Sequence, residues 1–153
     1  MSLDCAAEEI ADELLFKTGK ALLSGDFESF SACFGLPHVI ETADSRQVLT
    51  DMTGIRTIFD ELRRYLSDNQ VVDLVRTVVE ARFIDSDTVG STHVASFVHA
   101  DGVARRNPYP VYSVIRRHDP LDWKIMSCLY VILDCDEHNA VLSATTRSTE
   151  VSQ

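Results

Sequence analysis

The chain has 153 residues, 45% of them hydrophobic and 25% charged, with a formal net charge of −10. That length suits one domain around one core, and that hydrophobic content excludes a disordered chain. The acidic balance argues against nucleic acid, which needs a basic face, and against an anionic membrane surface: Arg63-Arg64, Arg105-Arg106 and Arg116-Arg117 are the only basic pairs, and they stand apart.

In chain order, residues 1–7 read as an N-terminal extension, 8–135 as a single domain and 136–153 as a polar tail. Glu8 to Leu23 carries an apolar stripe of Ile10, Leu14, Leu15, Thr18, Ala21 and Leu22, which predicts a helix. Gly25 closes it, because a left-handed residue commonly ends a helix, and Asp26 caps the next one. Phe27, Phe30 and Phe34 recur at helical spacing and predict a short helix over 27–34. Pro37 then breaks it, so a strand is expected over 38–42, paired with a second short strand over 47–50. Asp51 or Thr53 caps a third helix, whose apolar face is Ile55, Ile58, Phe59, Leu62 and Leu66.

The period then changes from helical to alternating. Long strands are predicted over 71–85, 88–100, 111–117 and 122–133, separated by Ser86-Asp87, by a loop over 101–110 and by a turn over 118–121. Helices followed by gathered strands indicate α+β: a curved antiparallel sheet wrapped around three N-terminal helices. Such a sheet keeps a partly apolar outer face, which suits a homodimer.

No apolar run is long enough to span a membrane, and no charged start precedes an apolar segment; a reducing cytoplasm is the expected location. Cys5, Cys33, Cys128 and Cys135 have neither CxxC nor zinc-ligand spacing, and Cys33 and Cys128 read as buried thiols. His93 and His99 share a strand face six residues apart without a third ligand. Neither a metal nor a cofactor is expected.

The chain resembles the nuclear transport factor 2-like superfamily, the cystatin-like cone that includes SnoaL-like proteins. The resemblance is carried by Ala21-Leu22-Leu23-Ser24-Gly25-Asp26-Phe27-Glu28, by Phe34 with Pro37-His38-Val39-Ile40-Glu41, and by the helix and four strands that follow. It implies a cone with a pocket, but the superfamily holds isomerases, dehydratases, hydrolases, cyclases, adaptors and members without known activity. It also implies an acidic general base near Glu41, as in ketosteroid isomerases. Here Glu41-Thr42 departs from the acidic-acidic-proline pattern, and a one-residue slip turns a strand side chain to the opposite face.

The residues themselves offer further candidates. Glu41 reads either as a general base or as a solvated strand-end carboxylate. If Ser86-Asp87 is a two-residue hairpin loop, Glu80 faces His93, and a carboxylate holding an imidazole is half of an acid–base dyad. Arg82 then lies opposite Ser91. Tyr112 is the fourth catalytic candidate, and His38, Tyr65, Arg82 and Tyr130 are candidate ligand-binding groups. Arg105-Arg106 and the prolines after them form either a lid or a solvated loop. The expected function is a pocket for a small apolar organic molecule, with cofactor-independent isomerisation, dehydration, cyclisation or hydrolysis. The alternative is a noncatalytic dimeric module that binds a ligand or a protein.

Overall fold

The structure, a computed structural model, describes residues 3–102 and 109–130. Cys135, the Arg105-Arg106 segment, residues 131–133 of the last expected strand and the tail lie outside the described residues, as does the side chain of Cys5. Three helices, α1 (Leu3–Ser24), α2 (Phe27–Ser31) and α3 (Met52–Asp68), pack on one face of a six-stranded sheet. Its strands are β1 (Phe34–Glu41), β2 (Arg46–Leu49), β3 (Val71–Asp85), β4 (Thr88–His99), β5 (Tyr109–Asp119) and β6 (Asp122–Tyr130). They run in the order β2-β1-β6-β5-β4-β3. The α+β architecture is the one expected, a curved and unclosed sheet around helices. Every seam is antiparallel except β1–β6, which is parallel.

Several boundaries differ from the sequence reading, among them those of β5, which runs two residues further at each end than expected. α1 begins at Leu3, and Ala7 is already fully buried, so the first residues extend the helix. α2 stops at Ser31, and Phe34 opens β1 instead of closing a helical face. Pro37 lies within β1. The strand starts upstream of it because Phe34 meets Ile125 of β6 there, and β1 regains register with β6 only at Val39. A proline lacks one ladder donor, and an irregular stretch of strand tolerates that.

The α1–α2 junction forms as its residues dictate. Gly25 adopts φ 82°, and the Gly25 and Asp26 amides both donate to the Ala21 carbonyl, at 2.9 and 3.0 Å. Asp26 accepts from the Ser29 amide at 3.1 Å and the Ser29 hydroxyl at 2.6 Å, which lowers its pKa. Arg63 of α3 closes the end of α1 by donating to the Leu22 carbonyl at 2.7 Å.

Two apolar clusters fill the space between helices and sheet. α2 and α3 bury Phe30, Ile58 and Phe59 against Ile40 and Leu49, with Phe30 rings 4.7 Å from Phe34 and 5.0 Å from Phe59. α1 presents Ala7, Ala11 and Leu14 to Val89, Val111 and Ile115. The alanines let this helix lie close to the sheet.

Phe30→Ala should lower unfolding free energy by about 3–5 kcal/mol, because it opens a cavity between two other rings. Gly25→Ala should cost about 1–2 kcal/mol through its left-handed backbone alone. Urea denaturation read by circular dichroism checks both, and an unchanged midpoint for Gly25→Ala would refute the turn geometry.

Candidate functional site

Pairing across the sheet sorts the candidate residues by face. Glu41 pairs with Leu129, Leu129 with Tyr112, Tyr112 with Thr92 and Thr92 with Glu80. Paired residues project to the same side, so this row lies on one face. Tyr112 reaches over Gly90, beside Ile84, and is 40% exposed. The row therefore faces outward, away from the helices. Val78, His93, Val111 and Tyr130 form a second row in the same way. Val111 and His93 are buried, so this row faces the helices.

The expected Glu80–His93 pair is not formed. Across the Ser86-Asp87 loop, Asp85 does oppose Thr88. However, β3 takes up one extra residue between Phe83 and Asp85 and another between Val78 and Glu80. Each is a bulge, which leaves a residue unpaired and shifts the register beyond it. His93 consequently opposes Val78, Glu80 opposes Thr92, and Arg82 opposes Gly90 rather than Ser91. Glu80 and Arg82 instead pair with each other at 2.6 Å, both well exposed. The second bulge also exchanges faces: Leu74, Arg76 and Val78 point inward before it, Ala81 and Phe83 after it.

The other candidates disperse. Glu41 is half-exposed and lies 3.6 Å from Arg46, its partner across the β1–β2 hairpin. Tyr65 is buried in the core, its ring 5.6 Å from Phe97. His38 is 2% exposed; its Nδ1 donates to the Ile125 carbonyl at 3.2 Å, and its ring meets Phe34 edge-on at 5.0 Å. His99 makes a 2.6 Å hydrogen bond from Nδ1 to the Asn69 carbonyl, which ties it to the end of α3 rather than to His93.

His93 and Tyr130 do come together. They line a cavity of ≈ 90 Å³ between the helices and the inner face of the sheet. Its apolar wall includes Leu62 and Leu66 of α3, Phe30 of α2, Phe34 of β1 and Phe97 of β4. Its polar groups are Thr18 and Arg76 near α1, His93 and Ser96 on β4, Tyr109 and Ser113 on β5, and Cys128 and Tyr130 on β6. Two larger grooves, of ≈ 510 and ≈ 680 Å³, lie along α1 at the surface and hold none of the candidates.

Burial governs the electrostatics of this cavity. His93 is pushed down to about 4, first by desolvation and then by the Arg76 cation, so the imidazole is neutral at physiological pH. Its ring makes no hydrogen bond among the described residues. Burial raises the Tyr130 phenol and the Cys128 thiol, whose sulfur lies 3.6 Å from the Ser113 hydroxyl. Cys33 and Cys128 are both buried free thiols.

Sequence reasoning missed Arg76, Ser113 and Tyr109. Arg76 shows as a lone cation within an otherwise β-branched stretch, and that is the signal available for it. Nothing local distinguishes Ser113.

No protein-family description matches the sequence, and no curated protein matches it. Solved structures do. A Nostoc punctiforme domain of unknown function with a cystatin-like fold is similar at TM-score 0.64 and 17% identity, over 96% of this chain and 94% of that one. A nuclear transport factor 2-like protein with a cystatin-like fold from Novosphingobium aromaticivorans is similar at TM-score 0.60 and 18% identity, over 90% and 89%. A Catenulispora acidiphila protein in complex with S-DNPA is similar at TM-score 0.59 and 17% identity, over 83% and 92%. These likenesses establish the cystatin-like, nuclear transport factor 2-like fold.

The buried histidines give a signed pH dependence. His38 and His93 both fall from the ordinary 6.5 to about 4, each mainly through burial. Between those values the unfolded chain takes up protons that the folded chain refuses, so stability falls as pH falls. Each histidine should remove about 3 kcal/mol between pH 7 and pH 4. Denaturation midpoints at pH 7, 5.5 and 4.5 should decline steadily, and His38→Gln should flatten the slope. A wild-type midpoint constant over that range would contradict the burial of both rings.

Proposed function

We propose that this chain is a noncatalytic small-molecule-binding protein, holding a compact, mostly apolar ligand between its helices and the inner face of its sheet. The observation that carries this reading is the ≈ 90 Å³ cavity, apolar along α2 and α3 and polar at His93. An apolar chamber with a few converging polar groups is the usual form of a ligand site. Neutral His93 can both donate and accept a hydrogen bond, which fixes a ligand's orientation. The cavity is small for such a site, and a compact ligand follows from that.

Acid–base turnover is the second reading. It would run through His93 and Tyr130, since Glu41, Glu80 and Tyr112 share the outer row. Isomerisation, dehydration, cyclisation or hydrolysis needs a group whose pKa lies near the working pH. Burial moves His93 and Tyr130 away from neutrality, in opposite directions, and this favours binding over turnover.

A homodimer through the outer sheet face belongs to the same proposal. Val75, Val79, Ile84, Tyr112 and Leu129 are exposed there, each by at least 38%. A second copy would cover this patch with an identical one. A cytoplasmic location also belongs to it, supported by the two free thiols. No described helix is long and apolar enough to cross a membrane.

Native mass spectrometry of protein purified from its own host tests the pocket. A small extra mass is expected on the wild type, absent after denaturation. Ala95→Leu, which extends a cavity-wall side chain into the space, should abolish it with the fold intact; an undiminished mass would place the ligand elsewhere. Light scattering tests the face: the wild type should be a dimer and Val79→Arg a monomer, and a monomeric wild type would remove the dimer from the reading.

A further inference from the structure

Among the described residues Arg76 is the one charged side chain lining the cavity. It also borders the ≈ 680 Å³ surface groove along α1, which Asp12 and Asp73 line, but it forms an ion pair with neither. β3 carries Arg76 on its inner face, two residues before Val78, which places it diagonal to His93 across the β3–β4 seam. Its head group lies against α1. Nη2 donates to the Leu15 carbonyl at 2.5 Å and the Thr18 hydroxyl at 3.0 Å. Gly19 leaves room for it, since a Cβ at that position would sit 2.7 Å from Nη2.

Both acceptors are neutral, and both are served by one nitrogen. A guanidinium has five N–H donors, and those on Nη1 and Nε meet no acceptor among the described residues. A cation withdrawn from water without a counter-charge is unfavourable, which is why buried charges are normally paired. This chain has 24 acidic residues to 14 basic ones, so an acid facing Arg76 would have been easy to supply. Among the described residues the cavity wall contains none.

Building on the pocket reading above, we infer that the ligand is a short monocarboxylate whose anionic head pairs with Arg76 and whose alkyl end lies against Leu62, Leu66 and Phe97. A carboxylate matches the planar fork of a guanidinium and supplies the missing counter-charge. Neutral His93 adds an N–H donor to the same head without competing for the charge. Size restricts the alkyl part: a cavity of ≈ 90 Å³ lies well below the several hundred Å³ of a typical ligand pocket, which calls for a chain of the length of propionate rather than a long fatty acid.

Propionate and propionamide have nearly the same shape and differ in charge. Each is titrated into the full chain at constant ionic strength, with chloride as the balancing anion, and followed by ¹H–¹⁵N NMR. Saturable shifts from propionate at Thr18, Arg76 and His93, with propionamide at least tenfold weaker, would support the inference. Equal affinity for the two would overturn the anionic ligand while leaving the pocket reading intact. Saturation by neither would overturn the inference, with the native mass measurement still deciding the pocket reading, and shifts confined to the surface along Lys17 and Lys20 would overturn the assignment to the cavity. Arg76→Gln, with an otherwise preserved spectrum, should weaken propionate at least tenfold; unchanged affinity would remove Arg76 from the site. The two-ligand comparison on the wild type decides the matter even if that variant does not fold.

Discussion

The bulge in β3 between Val78 and Glu80 decides which side chains reach the interior. Side chains alternate along a strand, so one inserted residue exchanges the faces of everything beyond it. Before the bulge the inward residues are Leu74, Arg76 and Val78; after it they are Ala81 and Phe83. Without it, Glu80 would turn inward toward α1, away from its partner Arg82, and Phe83 would leave Trp123, whose ring lies 6.0 Å away. The extra residue itself, Val79, is left 62% exposed. One local irregularity thus keeps a carboxylate in water and an aromatic ring in the core.

The helices set the other boundary of the cavity. Small residues on α1 draw it against β3 and β4, while the larger side chains of α2 and α3 hold the opposite end of the sheet at a distance. Between the two clusters a space remains, apolar toward α3 and polar toward α1. In so small a volume a single charge dominates. Arg76 helps keep His93 neutral, and burial keeps the phenol of Tyr130 protonated. Among the described residues the cavity holds one cation at neutral pH and otherwise uncharged donors and acceptors, a set suited to orienting a ligand.

The likeness to cystatin-like structures is one of backbone shape, at identities below one in five. A shared fold supplies a cone and leaves its contents open. The position at which a family resemblance would place a general base illustrates this. Glu41 sits at the end of β1 as that resemblance implies, yet it faces outward and meets Arg46, whereas its neighbour Ile40 is the residue turned to the core.

Sequence alone determined the element order, because it is written in local signals. Helical spacing marks α1 and α3, Gly25 and Asp26 mark the turn between α1 and α2, and alternation marks β3 and β4 to within a residue. The α+β class and the presence of an inner and an outer sheet face follow from that order. Where local and tertiary forces compete the reading failed: Phe34 has helical spacing from Phe30 but pairs with Ile125, and Pro37 reads as a breaker but is accommodated inside β1. The Ser86-Asp87 loop was legible, but the bulges that follow it were not. A bulge is fixed by which face of the strand can be buried against α1 and β6, and that depends on residues distant in the chain. The membership of the cavity was decided in the same way, as Arg76, His93, Ser113 and Tyr130 meet only once four strands are in register and a helix lies over them.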